Sequence, residues 1–229
     1  MSIFVLKIIA MLTMVIDHSR YIVPEFDNDI TKIIGRISFV LFAFILSEGI
    51  WHTKDRKKYL KRLTLFAIVS QIPFMLFRTI VGRFVLLNIL FTFAIPMIGI
   101  ILIDKYNSKK MKVVIGLICI LLGLIIPVDY GVYGVILVLA FYYSRKTKWF
   151  DISYIVINLC YYLDKFIEIK NFEILIPYII GVLIGYVILK FYNGKLGKKI
   201  KFLYWFYPVH MLIIYFIYLI VNGGYLIGM

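Results

Sequence analysis

The sequence predicts an all-α integral membrane protein, a polytopic helical bundle of about nine transmembrane helices with its N-terminus inside. Three observations predict it. Hydrophobic residues fill 63% of 229 positions and mean hydropathy is +0.96, more apolar surface than a soluble core of this length can bury. Apolar runs of about 15 to 20 residues recur along the whole chain, which suits spans joined by short connections and leaves no length for a soluble domain. Basic residues gather between alternate runs, the pattern that orients helices in a bilayer. The expectation is one transmembrane domain over 1–229, multi-pass in a bacterial cytoplasmic membrane.

The predicted spans are 3–20, 33–51, 63–77, 84–103, 113–128, 130–143, 149–163, 173–190 and 202–221. The first carries Lys7 ahead of an apolar run, as a signal peptide would. Asp17-His18-Ser19-Arg20 stands where small cleavage-site residues belong, so the segment reads as a retained span. The segment 130–143 is short for a hydrocarbon core of about 30 Å and follows its predecessor after only Pro127-Val128-Asp129, so a re-entrant pair is the alternative there. Ser70-Gln71-Ile72-Pro73 marks a kink lined with polar groups, and Gly131 and Gly134 permit close helix approach.

Charge sets the orientation. The connections from Lys54 to Arg62, Lys105 to Lys112, Arg145 to Lys148 and Lys190 to Lys201 hold, with Lys7, most of the 26 Lys and Arg residues. They are every second connection along the chain and are assigned to the cytoplasm, while Glu25, Asp27, Asp29, Asp129, Asp164, Glu168 and Glu173 lie in the opposite connections. A net charge of +14 therefore argues for membrane orientation and against nucleic acid. Cys119 and Cys160 lie in apolar runs without CxxC spacing and indicate neither a disulfide nor a metal.

An ionisable group inside a span costs several kcal/mol and needs a partner, a wet cavity or a chemical role. On this topology Asp17 and His18 end the first span on the outer side, Arg36 begins the second, Asn88 lies in the outer part of the fourth, and Asp129 and Tyr130 form an outer turn. His210 lies near the middle of the last span, two residues after a helix-distorting Pro208. A neutral imidazole can accept a proton near neutral pH, which makes His18 the first candidate for a general base. Asp17 is adjacent in sequence and projects about 100° away on a helix, so Asp129 is an equal candidate to orient His18. The structural alternatives are an interfacial His18, a buried hydrogen-bonded His210, and an Arg36 paired with Asp17 or Asp129. Glu48 and His52 share a helix face at the inner end of the second span, but two ligands are too few for a metal site.

Taken in order, the motifs resemble those of the TraX family, whose founding member is linked to N-terminal acetylation of conjugative pilin. The stretches are Met14-Val15-Ile16-Asp17-His18, Gly35-Arg36-Ile37-Ser38-Phe39, Ser47-Glu48-Gly49, Tyr59-Leu60-Lys61-Arg62-Leu63 and Ser70-Gln71-Ile72-Pro73-Phe74. They continue with Leu87-Asn88-Ile89-Leu90-Phe91-Thr92, Asp129-Tyr130-Gly131-Val132-Tyr133-Gly134 and Tyr207-Pro208-Val209-His210. The first span also looks like that of the wider membrane acyltransferases, which carry an arginine, ten residues and a histidine. Here Lys7 and His18 hold that spacing, and lysine keeps the charge without the planar fork. On one helix the two lie about 16 Å apart, comparable to an extended pantetheine arm.

The resemblance implies an acyltransferase that moves an acyl group, most simply acetyl from acetyl-CoA, to an amine or hydroxyl of an exported peptide, glycan or lipid. No metal is implied. His18 would be the base, Asp17 or Asp129 its orienting carboxylate, Arg36 and Asn88 oxyanion stabilisers, and His210 a second proton handler or a transient acyl carrier. Lys7, Arg36, Glu48 and Tyr130 are the candidate donor-binding residues. Two other readings use the same residues: a secondary transporter or channel with an intramembrane His/Asp/Arg path, and a non-catalytic partner in envelope assembly.

Overall fold

The structure is a computed structural model and describes residues 1–82, 86–106, 108–200 and 202–223. Ten α-helices account for most of them: α1 Ile3–Ser19, α2 Asp29–His52, α3 Arg56–Val69, α4 Gln71–Val81, α5 Ile89–Lys105, α6 Lys109–Ile125, α7 Gly131–Tyr143, α8 Trp149–Ile169, α9 Ile176–Lys190 and α10 Leu203–Val221. A 3-10 turn, Pro24–Phe26, follows α1. Among the described residues the only extended pairing is an isolated bridge between Leu87 and Val128. Several helices begin on a side-chain cap. Ser2, Asp55, Asn88 and Ser108 accept the backbone N–H of Val5, Lys58, Leu90 and Met111, satisfying donors that a helix start leaves open.

Ten helices are described where nine spans were expected, and the span 63–77 divides between two of them at Ser70-Gln71-Ile72-Pro73, where the expected kink is a bend of 46°. The chain breaks at Ser70, so that α3 ends at Val69 and α4 begins at Gln71, with Pro73 in the first turn of the new helix where its missing N–H costs nothing. The first two residues of the predicted span 84–103, and Lys201 of the last basic connection, lie outside the described residues.

Among the described residues two helices, α2 and α10, are long and apolar enough to cross a membrane, and α3 with α4 would supply a third if the bent pair acts as one span. Length explains the lower count. Helices α1, α5 and α6 have 17 residues each. At 1.5 Å per residue, each is about 26 Å long, below a hydrocarbon core of about 30 Å. Helix α8 has 21 residues but carries Asp151, Asp164, Lys165 and Glu168. The outer surface is nonetheless strongly apolar: Val113, Leu117, Leu121 and Leu124 of α6, and Val209, Ile213, Phe216 and Ile220 of α10, are all exposed. Such a surface marks contact with lipid or protein.

The chain falls into two compact units. The first comprises Met1–Ile45, Ile72–Val85 and Cys160–Met229. Here α1 packs on α10, and Ser38 of α2 donates a 3.1 Å hydrogen bond to the Ala10 carbonyl of α1. Helix α9 meets α2 through glycines: a Cβ at Gly185 would lie 3.1 Å from Val40, and one at Gly181 would overlap the Ile33 carbonyl. The start of α1 is tied to the chain before α10 by hydrogen bonds from the Ile3 and Phe4 amides to the Lys195 and Leu196 carbonyls, at 2.9 and 3.0 Å.

The second unit comprises Leu46–Gln71 and Leu86–Leu159. Helix α5 is its centre and packs on α3, α6 and α7 around a core of Ile95, Ile103, Ile115, Cys119, Val128 and Val135. At Gly131 the expected close approach is to α6, where an added Cβ would lie 3.5 Å from the Gly123 carbonyl, and Gly123 in turn would place a Cβ 3.0 Å from the Val132 backbone. Gly131 has a second task. At φ +49° it continues a left-handed turn begun by Tyr130 at φ 62°, a conformation glycine adopts without strain.

Candidate functional site

The first unit brings His18 and His210 together across 192 residues of sequence. His18 lies in the last turn of α1, and His210 stands one turn after Phe206 on α10, which carries Pro208 inside it. Their rings lie 5.1 Å apart at an interplanar angle of 7°, with His18 Nδ1 and His210 Nε2 separated by 2.9 Å. Phe206 stacks on His210 at 4.9 Å and Phe77 of α4 lies against His18 at 4.7 Å. The two imidazoles thus sit within an aromatic stack, His210 buried and His18 half-buried.

The hydrogen bonds assign the tautomers. His210 Nδ1 lies 2.8 Å from the Phe206 carbonyl oxygen, which can only accept, so Nδ1 carries the hydrogen. In a neutral His210 the Nε2 lone pair is then an acceptor, and His18 Nδ1 must donate to it. A neutral His18 donating from Nδ1 keeps its lone pair on Nε2. The pair therefore presents one basic nitrogen, His18 Nε2, oriented by His210, which the Phe206 carbonyl orients in turn.

Asp17 and Arg20 form a second constellation beside it. Arg20 caps the C-terminus of α1, is 8% exposed, and lies 3.6 Å from the Asp17 carboxylate and 3.7 Å from that of Asp27. It also donates to the Tyr21 hydroxyl at 2.5 Å. Asp17 rests against Gly35, where a Cβ would overlap its carboxylate, so glycine there lets the carboxylate pass between α1 and α2. The structure thus pairs Asp17 with Arg20 and His18 with His210. Arg36 places its guanidinium 4.7 Å over the Tyr178 ring. Lys7 is half-buried on α1. Eleven residues of helix turn about 1100°, so Lys7 and His18 differ by only about 20° in direction and share one stripe with the buried Met11 and Met14.

The remaining candidates belong to the second unit. Asn88 is fully buried and caps α5. Its Nδ2 donates to the Ala67 carbonyl at 2.7 Å and to Gln71 Oε1 at 2.9 Å, while its Oδ1 accepts from Leu90 at 3.0 Å. Both amide hydrogens are engaged within the protein. The Asp129 backbone is held by its N–H on the Leu87 carbonyl at 2.8 Å and by the Thr92 hydroxyl donating to its carbonyl. Tyr130 precedes α7, its ring 6.5 Å from that of Tyr133.

Glu48 is 1% exposed and receives the Arg145 guanidinium through two hydrogen bonds, that from Nη2 being 3.0 Å. His52 Nε2 completes this cluster at 3.3 Å from both partners. Beside it Arg56 and the Tyr142 hydroxyl both bond Asp104, the latter at 2.9 Å. Sequence reasoning missed Arg145, Arg20 and Gln71. Arg20 had a signal, three residues beyond Asp17 on the same helix; Arg145 was counted with its neighbours as an orienting charge, and nothing linked Gln71 to Asn88.

The comparisons with known proteins agree on one family. The TraX protein family model matches residues 2–218, a stretch that contains both histidines of the pair. A relative from Dichelobacter nodosus, the probable fimbrial assembly protein FimC of serogroup H1, is 31% identical over 92% of this chain and 93% of its own length. No solved structure matches. A match over nearly the whole chain, with a relative of almost the same extent, makes this chain a member of the TraX family.

Proposed function

We propose that the protein is a multi-pass acyltransferase of the cytoplasmic membrane. It would carry an acyl group, acetyl in the simplest case, from cytosolic acetyl-CoA to an amine or hydroxyl of an exported acceptor. One observation carries the reading: the His18–His210 pair, whose hydrogen-bond order leaves a basic nitrogen on His18. The apolar exterior supports the bilayer as surroundings, with helices shorter than a full core accommodated by local thinning of the bilayer, snorkelling of flanking side chains or incomplete crossing.

In this mechanism His18 Nε2 removes the proton from the acceptor nitrogen or oxygen as it attacks the thioester carbonyl. A tetrahedral intermediate forms, its oxyanion stabilised by a cation such as Arg36. The carbon–sulfur bond then breaks, CoA leaves as thiolate, and the proton held by His18 passes to the sulfur. The products are the acylated acceptor and CoA. His210 fixes the tautomer of His18 and shares the positive charge of the imidazolium, and Asp17 pairs with Arg20. Lys7, about 16 Å back along the same helix stripe, faces where the donor phosphates would lie.

The relative is named for fimbrial assembly, and the acceptor we propose is accordingly a peptide amine on an exported envelope subunit. The test is mass spectrometry of envelope peptides from cells with the gene, without it, and with His18→Ala in its place. A peptide about 42 Da heavier only with the wild-type gene is the expected result, that being the mass of an acetyl group replacing hydrogen. An identical acylation pattern in the three strains would refute the enzyme.

A further inference from the structure

A second feature lies in the second unit, lined by residues that the proposed reaction does not use. Between α3 and α5 runs an open groove of about 630 Å³. Lys57, Lys61, Leu65 and Ile68 line it from one face of α3, and Ile98 and Leu102 line it from α5. Arg56 at the start of α3 pairs with Asp104 near the end of α5, so the two helices run antiparallel with their basic ends together. The groove is therefore cationic at one end and apolar along the rest.

Its dimensions fit within one half of a bilayer. Lys57 to Ile68 is eleven residues, about 16 Å of helix rise, which leaves the two lysines for a headgroup and about 10 Å beyond Lys61 for an acyl chain, within the about 15 Å of half a 30 Å hydrocarbon core. The volume is within the 300 to 1,000 Å³ range of small-molecule sites. Leu65, Ile68, Ile98 and Leu102 are all exposed, as a chain-binding wall in lipid would be. Lys57 and Lys61 stand where a headgroup phosphate would lie, in a segment that also holds Lys54 and Lys58. A zwitterionic lipid would leave this excess positive charge uncompensated.

We propose that this groove is a binding site for one anionic glycerophospholipid of the cytoplasmic leaflet, its phosphate on Lys57 and Lys61 and one acyl chain between α3 and α5. The site rests on the membrane reading above and not on the acyl-transfer chemistry. Flotation of the full chain with phosphatidylcholine liposomes reports the membrane reading by itself.

The test is native mass spectrometry of the detergent-purified chain titrated with dioleoylphosphatidylglycerol or dioleoylphosphatidylcholine. One phosphatidylglycerol retained in preference to phosphatidylcholine is expected. The double variant Lys57→Gln/Lys61→Gln should weaken it about tenfold or more. Ile98→Trp, which fills the groove without touching charge, should also displace it, whereas Lys110→Gln removes a charge outside the groove and should leave it bound. Circular dichroism establishes that each variant is folded. Equal retention of the two lipids, or unchanged binding in both groove variants, would overturn the site. So would displacement by oleoyl-CoA at a concentration where added phosphatidylglycerol cannot compete, which would make the groove a donor site.

Discussion

The hydrogen-bond order of the histidine pair makes a claim that can be read without knowing the acceptor. The chain has three histidines, so ring 15N spectra of the purified protein can be assigned by replacing them singly. Both His18 and His210 should be Nδ1–H tautomers, with His18 Nδ1 donating to His210 Nε2. Activity should then rank the variants. His18→Ala removes the base and should lower acceptor-dependent CoA release by about 10² to 10⁴, or roughly 3 to 5 kcal/mol. His210→Leu leaves the base but strips its Nδ1 partner, a loss of about 1 to 3 kcal/mol and hence roughly 5- to 150-fold. His210→Gln returns an acceptor oxygen near the lost Nε2 and should recover most of the deficit. Radiolabel from acetyl-CoA into an envelope fraction is the assay, with a folded helical spectrum required of each variant. An Nε2–H tautomer at His18, or wild-type turnover in His18→Ala, would refute the assignment.

Three further outcomes follow from the surrounding contacts. Glu48→Gln leaves the Arg145 guanidinium in a buried site without its carboxylate and should destabilise the protein by about 3 to 5 kcal/mol, read as a fall in melting temperature in detergent. Asn88→Ala removes a helix cap and two buried hydrogen bonds, for about 1 to 3 kcal/mol of stability, while turnover per folded molecule stays within about threefold; a loss of 10² in turnover at unchanged stability would return Asn88 to the oxyanion. Gly35→Ala should push the Asp17 carboxylate off its seat between α1 and α2, lowering melting temperature more than Gly116→Ala, whose Cβ meets nothing within 4 Å.

Helices were the legible part of the sequence, because long apolar runs separated by the Lys clusters announce themselves locally. The polar stretch Ser70-Gln71-Ile72-Pro73 reads as a kink, and α3 and α4 do meet there at a bend of 46°; that one helix ends and another begins was not legible, since apolar residues continue on both sides and Pro73 is tolerated in a first turn. Asn88 was read as a polar residue inside a span when its place just before Ile89 is that of a cap; the span assigned from residue 84 hid the helix start. Both histidines were singled out, but their pairing depends on α1 packing against α10, a contact that no local pattern encodes. Arg145 shows the opposite failure. Counting positive charges orients a chain, yet it says nothing of a guanidinium that turns in to meet Glu48.

The partner chosen for His18 has a physical logic. A carboxylate behind a catalytic imidazole stabilises its cation strongly, but burying that carboxylate in apolar surroundings costs several kcal/mol unless another charge accompanies it. A neutral imidazole performs part of the same work. It offers one lone pair to fix the tautomer, and its own Nδ1–H is satisfied by the Phe206 carbonyl, so no net charge is buried in the resting state. Asp17, one residue from His18, is meanwhile neutralised by Arg20. The positive charge thus arises at the pair only when His18 takes a proton. It can then be divided between His18 and His210 across a 2.9 Å bond, which lowers the cost of holding it on either ring.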